Sequence, residues 1–160
     1  MESAGSGRRT VAPDVLKTLR ELLGPNLFRI YERGQCFRTA YWILDFIKTR
    51  GDGTTHDYTA ELVHGTPLYQ GTDPLAVGKL IGHAWVEVDT PEGIQCIDVL
   101  SGPGSIPELV FLPQRIYYIA GAMKEEHMIR IPWEEALRLS NEKETYGPWE
   151  TLPGDPVMVD

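Results

Sequence analysis

The sequence predicts an α+β fold in which N-terminal helices come first, an antiparallel meander follows, and the helices pack on one face of the sheet. Three observations lead there. Apolar residues recur at helical spacing up to Thr49, strand-like runs begin after Asp57, and Gly- and Pro-containing turns separate them. Pro13 opens a first helix, Val15, Leu16, Leu19, Leu22 and Leu23 give it an apolar stripe, and Gly24 stops it. Gly24-Pro25-Asn26 breaks the chain, and a second helix is expected over about 36–49, ended by Arg50-Gly51-Asp52-Gly53. Its packing face is Cys36, Ala40, Ile43, Leu44 and Ile47, which puts Cys36 at the helix N-terminus on the buried side. Residues 58–64, 83–88, 94–100 and 115–120 read as strands, with 66–79 a loop between the first two. A last short helix follows Pro132 over 133–140, and 146–160 has no periodicity.

A chain of 160 residues is enough for one domain with its own core. The expected division is a flexible N-terminal tail over 1–12, a single domain over 13–145 and a C-terminal extension over 146–160. With 15 Lys+Arg against 23 Asp+Glu the formal charge is −8, and the basic residues are scattered, which argues against nucleic-acid binding. No apolar run approaches the roughly 20 residues of a membrane-spanning helix, and Met1 to Arg9 lacks the apolar stretch of a secretory signal. A cytoplasmic location is therefore expected, and Cys36 and Cys96 are not expected to form a disulfide. Each thiol then needs its own explanation.

A thiol attacks a carbonyl as thiolate, which the N–H groups and dipole of a helix N-terminus stabilise. It also needs a base, and the base a third group that fixes its orientation. His83 and Asp98 are the candidates. If Thr90-Pro91-Glu92-Gly93 is a hairpin loop with Asp89 paired to Ile94, His83 lies opposite Leu100 and Asp98 is its diagonal neighbour on the same face. A loop one residue longer or shorter turns Asp98 to the other face. Ala84, Val86 and Val88 make the apolar face of this strand, His83 and Trp85 share the opposite one, and the helix bearing Cys36 is expected to cover that second face near its His83 end.

Gly34-Gln35-Cys36 followed by an aromatic residue, Gly82-His83-Ala84-Trp85-Val86-Glu87-Val88, and Ile97-Asp98-Val99 resemble the three core motifs of the transglutaminase-like branch of papain-fold cysteine enzymes. The order Cys, His, Asp and the fifteen-residue interval between the last two fit that resemblance. It implies a papain-like core, Cys36 as nucleophile, His83 as general base and then acid, Asp98 as the residue orienting the imidazole, and an acyl-enzyme thioester. The implied activity is that of a thiol peptidase, amidase or transglutaminase on a peptide-like amide, without a cofactor. The backbone N–H of Cys36 is one expected oxyanion donor, Gln35 or Tyr31 the candidates for the second, and Trp85 a candidate to line the substrate groove. Arg33-Gly34-Gln35-Cys36-Phe37 and Asp98-Val99 with Gly102 are also similar to arylamine N-acetyltransferases, whose chains are longer and whose acidic residue after the cysteine is Arg38 here. The rival class is a non-catalytic peptide-binding module that retains the fold.

Other residues have plainer readings. Cys36, His64, His83 and Cys96 lack the close paired spacing of a zinc site, so no metal is expected. Cys96 reads as a buried structural thiol, His56 and His127 as surface residues, and Trp133 and Trp149 as core or rim aromatics.

Overall fold

Leucine and valine at helical spacing carry the first element, α1 (Pro13–Leu23), which buries Val15 and Leu19 and leaves Leu22 exposed. The computed structural model describes residues 8–31, 35–50, 55–68, 78–100, 106–150 and 152. A 3₁₀ turn (Gly24–Asn26) and the short α2 (Leu27–Ile30) lead to α3 (Cys36–Thr49), whose bounds are those expected from the sequence. The α3 stripe of Ala40, Ile43, Leu44 and Ile47 is buried, and Arg50, the first residue past the helix, takes the left-handed conformation.

Among the described residues five strands form one antiparallel sheet: β1 (Ala60–Gly65), β2 (His83–Thr90), β3 (Gly93–Leu100), β4 (Glu108–Pro113) and β5 (Ile129–Pro132). Their spatial order is β4-β3-β2-β1-β5, so a meander runs from β1 to β4 and β5 returns to the free edge of β1. β4 and β5 were not expected. The apolar run Leu109-Val110-Phe111-Leu112 has no alternation to reveal it, and four residues of β5 are too few to show a period.

The expectation of helices on a single face is corrected. On one face Leu62, Ala84, Val86, Val88, Ile97 and Ile131 join the stripes of α1 and α3 and Ala136 of α5 (Trp133–Lys143) in the main core. On the other face Val63, Trp85 and Cys96 pack against Tyr117 of α4 (Gln114–Ala120). Residues 115–120, expected as a strand, are thus helical. Their β-branched and aromatic composition favours a strand in isolation, but a helical turn brings Gln114 and Tyr118, four residues apart, together onto Glu87 of the sheet. Coverage from both sides explains why nearly all of β2 is buried, including Glu87 and Asp89.

The segment read as an N-terminal tail is docked over residues 8–12. Val11 is fully buried, its N–H donates to the Asp89 carbonyl at 2.7 Å, and the Arg8 guanidinium bonds the Asp89 carboxylate at 2.7 Å. Arg9 and Thr59 exchange two further hydrogen bonds. At the other end Tyr146 sets its ring against Tyr41 and Trp42, and Trp149 packs on the core, so the fold extends past 145 into the expected extension. Trp133 donates its indole N–H to Asp45 at 3.0 Å and ties α5 to α3. Of the loop expected over 66–79, residues 69–77 lie outside the described residues, as do 1–7 of the tail. The base of that loop is closed by a bridge between Leu68 and Leu80.

No helix among the described residues is long and apolar enough to cross a membrane. The packing predicts a sharp contrast between two leucines. Leu44→Ala, at a fully buried position, is expected to lower unfolding free energy by about 2–5 kcal/mol. Leu22→Ala, at a position 58% exposed, is expected to stay within about 0.5 kcal/mol of the parent. Denaturant titrations of the two variants check this.

Candidate active site

Cys36 is the first residue of α3, with Gln35 at the N-cap position. The first intrahelical bond runs from the Thr39 N–H to the Gln35 carbonyl at 3.1 Å, so the Cys36 N–H has no acceptor within the helix. The expectation that α3 covers the His83 and Trp85 face is corrected: its stripe packs on Ala84, Val86 and Val88. An apolar stripe is best buried against the apolar face, and that face is the one α3 takes. Cys36 and His83 still meet, because His83 is the first residue of β2 and the helix brings its N-terminal end to the start of that strand. Cys36, His83 and Asp98 line one small pocket with Tyr31, Thr39 and Trp85.

The β2–β3 hairpin has the expected register. Asp89 pairs with Ile94, and Thr90 with Gly93, so the connection is tightened to Pro91-Glu92 without a change of offset. The Thr90 hydroxyl donates to the Gly93 carbonyl at 2.7 Å, and Gly93 has φ +117°, a conformation that other residues rarely adopt. With that offset His83 and Asp98 share a face, and His83 Nε2 lies 2.8 Å from Asp98 Oδ2. The Asp98 carboxylate is buried, as such a group can be only when it is paired. The Val99 N–H donates to its Oδ1 at 2.7 Å, and the Tyr117 hydroxyl donates to its Oδ2 at 2.6 Å.

His83 interacts with both partners. Burial disfavours its charged form, but the negative charge of Asp98, then Cys36, and hydrogen bonds to both outweigh it, so its pKa stands well above the ordinary 6.5. Since Asp98 takes Nε2, Nδ1 is the ring nitrogen left for Cys36. Under the imidazole lies Trp85, 1% exposed, its ring 6.2 Å from that of His83. Trp85 is thus a buried support for His83 more than an open groove wall. Gly65 lies against it, where a Cβ would come 2.4 Å from the indole.

Behind Trp85 is a second polar cluster that the sequence reading missed. Glu87, 4% exposed, accepts from the Trp85 indole N–H at 3.0 Å, from Gln114 at 2.8 Å and from Tyr118 and Arg130. Burial raises its pKa, but these donors outweigh it and the net direction is down. Cys96 sits beside Glu87, with Sγ 3.7 Å from Oε2, and burial followed by the Glu87 charge pushes its thiol pKa up. Cys96 is therefore an inert, buried thiol. Period-two alternation does place Glu87 and Cys96 on the His83 face, but nothing local marks Tyr117, Tyr118 or Arg130 as their partners.

The remaining candidates divide. Tyr31 lines the pocket, whereas Gln35 is exposed at the N-cap and is not among the lining residues. His64 is buried on the α3 side with its ring 4.8 Å from Phe37, so it does not converge with Cys96 across the sheet. His56 is half-buried and stacks on Tyr58 at 5.6 Å, where a surface position was expected. No family model, no curated protein and no solved structure matches the chain.

The His83–Asp98 pair predicts a titration. In an NMR titration of the His83 ring the midpoint is expected above 6.5, and Asp98→Asn should move it down, because the charge that raises it is gone. The folded state holds this proton more tightly than the unfolded chain. The pair's pH-dependent stabilisation is therefore complete below about 6.5 and lost as pH rises through the folded value. Chemical denaturation across that window should show the wild type's advantage over Asp98→Asn shrinking with rising pH.

Proposed function

We propose that this chain is a cysteine-nucleophile acyl-transfer enzyme with a papain-like, transglutaminase-like core, acting on the carbonyl of a peptide-like amide. The observation that carries the reading is His83 bonded through Nε2 to a buried Asp98 while it interacts with a cysteine at the start of a fourteen-residue helix. Nucleophile, base and orienting carboxylate come from α3, β2 and β3, the order in which the sequence motifs occur.

In the proposed reaction Cys36 passes its proton to His83, and Sγ forms a bond to the substrate carbonyl carbon. The negative oxygen that develops is met by the Cys36 N–H, with Tyr31, on the pocket wall, the candidate for a second donor. Collapse breaks the carbon–nitrogen bond, and the His83 proton leaves with the amine. The thioester then accepts water or a second amine, whose proton His83 takes, and the thiol is restored on release of the product. Asp98 offsets the imidazolium charge at both proton transfers and keeps the ring from turning.

An activated ester tests this without knowledge of the natural substrate. With p-nitrophenyl acetate the wild type is expected to release nitrophenolate and carry one acetyl group on Cys36, located by peptide mass spectrometry. Cys36→Ala should lose both signals, and His83→Ala should slow acetylation by about 10²- to 10⁴-fold, the usual contribution of a general base. Acetylation spread over lysines, or an unchanged rate at Cys36 in His83→Ala, would count against an enzyme and favour a binding module.

A further inference from the structure

We infer that Tyr117 is a positioning residue of the Cys36–His83–Asp98 triad, its hydroxyl drawing off part of the Asp98 charge that would otherwise act on the imidazole. The inference rests on the acyl-transfer reading above and adds a fourth member to it.

The geometry is specific. Tyr117 donates to Oδ2 at 2.6 Å, the same oxygen that His83 Nε2 approaches at 2.8 Å, while the Val99 N–H occupies Oδ1. Two donors therefore compete for one carboxylate oxygen. Tyr117 is itself held: it is 7% exposed and its ring lies 5.2 Å from that of Trp85, the residue under His83. Among the described residues, the titratable groups facing His83 and Asp98 are Cys36 from α3, Tyr31 from the segment before it, Tyr117 from α4 and Cys96 from β3. At these positions β1 presents Gly65 and β4 presents Val110.

A buried carboxylate beside an imidazole makes it a good acceptor and a poor donor. The acyl-transfer cycle needs both roles, since His83 must hand its proton to the leaving amine and later accept one from the attacking group. A hydrogen bond to Asp98 is strongest when His83 is neutral and the carboxylate charge is uncompensated, so Tyr117 favours the neutral imidazole. Burial, and then the Asp98 charge, push the phenol pKa well above the ordinary 10.0, so Tyr117 stays a neutral donor.

Tyr117→Phe keeps the ring and removes the donor. The His83 midpoint, followed by NMR, is expected to rise by about half to one pH unit, a three- to tenfold change in proton affinity. In the Asp98→Asn background the same substitution should move nothing. Replacement of Tyr117 by 3-fluorotyrosine, a stronger donor of nearly the same size, should lower the midpoint and serves if Tyr117→Phe fails to fold. An unchanged or lowered midpoint in Tyr117→Phe, or an equal shift in the Asp98→Asn background, overturns the inference. These readouts need no activity. A failure of Cys36 acetylation with the His83 shifts intact would refute the acyl-transfer reading, and unmoved His83 with Cys36 still reactive would refute only the role of Tyr117.

Discussion

The candidate site depends on one hydrogen-bonding offset, Asp89 opposite Ile94 in the β2–β3 hairpin. Successive side chains of a strand point to opposite faces, so a slip of one residue would turn Asp98 to the face of Ala84 and Val86 and leave His83 without its carboxylate. The turn that holds the offset is short, and Gly93 supplies the backbone conformation it needs. Beyond the turn, the alternation of Val86, Val88, Ile97 and Val99 with His83, Trp85, Cys96 and Asp98 reinforces it, since a slip would also turn buried apolar groups away from the core.

The sheet's two covered faces divide the work. The α3 side is apolar apart from His64, and its packing fixes where the helix N-terminus, and with it Cys36, ends up. The α4 side holds Asp98 and Glu87, whose buried carboxylates must find partners within the fold. Asp98 finds His83, Tyr117 and the Val99 N–H, and Glu87 finds Trp85, Gln114, Tyr118 and Arg130. Trp85 joins the two clusters, with its ring under His83 and its indole N–H on Glu87. The His83–Asp98 pair is thus braced from the side opposite Cys36.

What the sequence revealed follows from how local each signal is. The α3 bounds could be read because the stripe from Cys36 to Ile47 and the Arg50-Gly51 stop lie within a few turns, and the hairpin because Pro91 and Gly93 mark its tip. The His83–Asp98 contact was legible since strand parity carries it once the turn is placed. Ile116-Tyr117-Tyr118-Ile119 misled, because its helical state is decided by what Tyr117 and Tyr118 reach across the sheet, Asp98 and Glu87, and such contacts leave no periodicity. Placing all the helices on one face of the sheet hid the second layer, although Trp85 and Cys96 among the polar positions were a trace of it. The docking of Val11 and Arg8 on Asp89 was hidden for the same reason, as partners far apart in sequence cannot be paired from composition.

The central claim is that His83 activates Cys36, and the most direct measurement is the pH dependence of iodoacetamide alkylation at each thiol, by peptide mass spectrometry, in the wild type and in His83→Ala. The account predicts that Cys36 reacts much faster than Cys96 near neutral pH, and that the advantage is lost in the variant, where Cys36 follows an ordinary thiol with a midpoint of about 8.5. A Cys36 profile identical in the two proteins would contradict it.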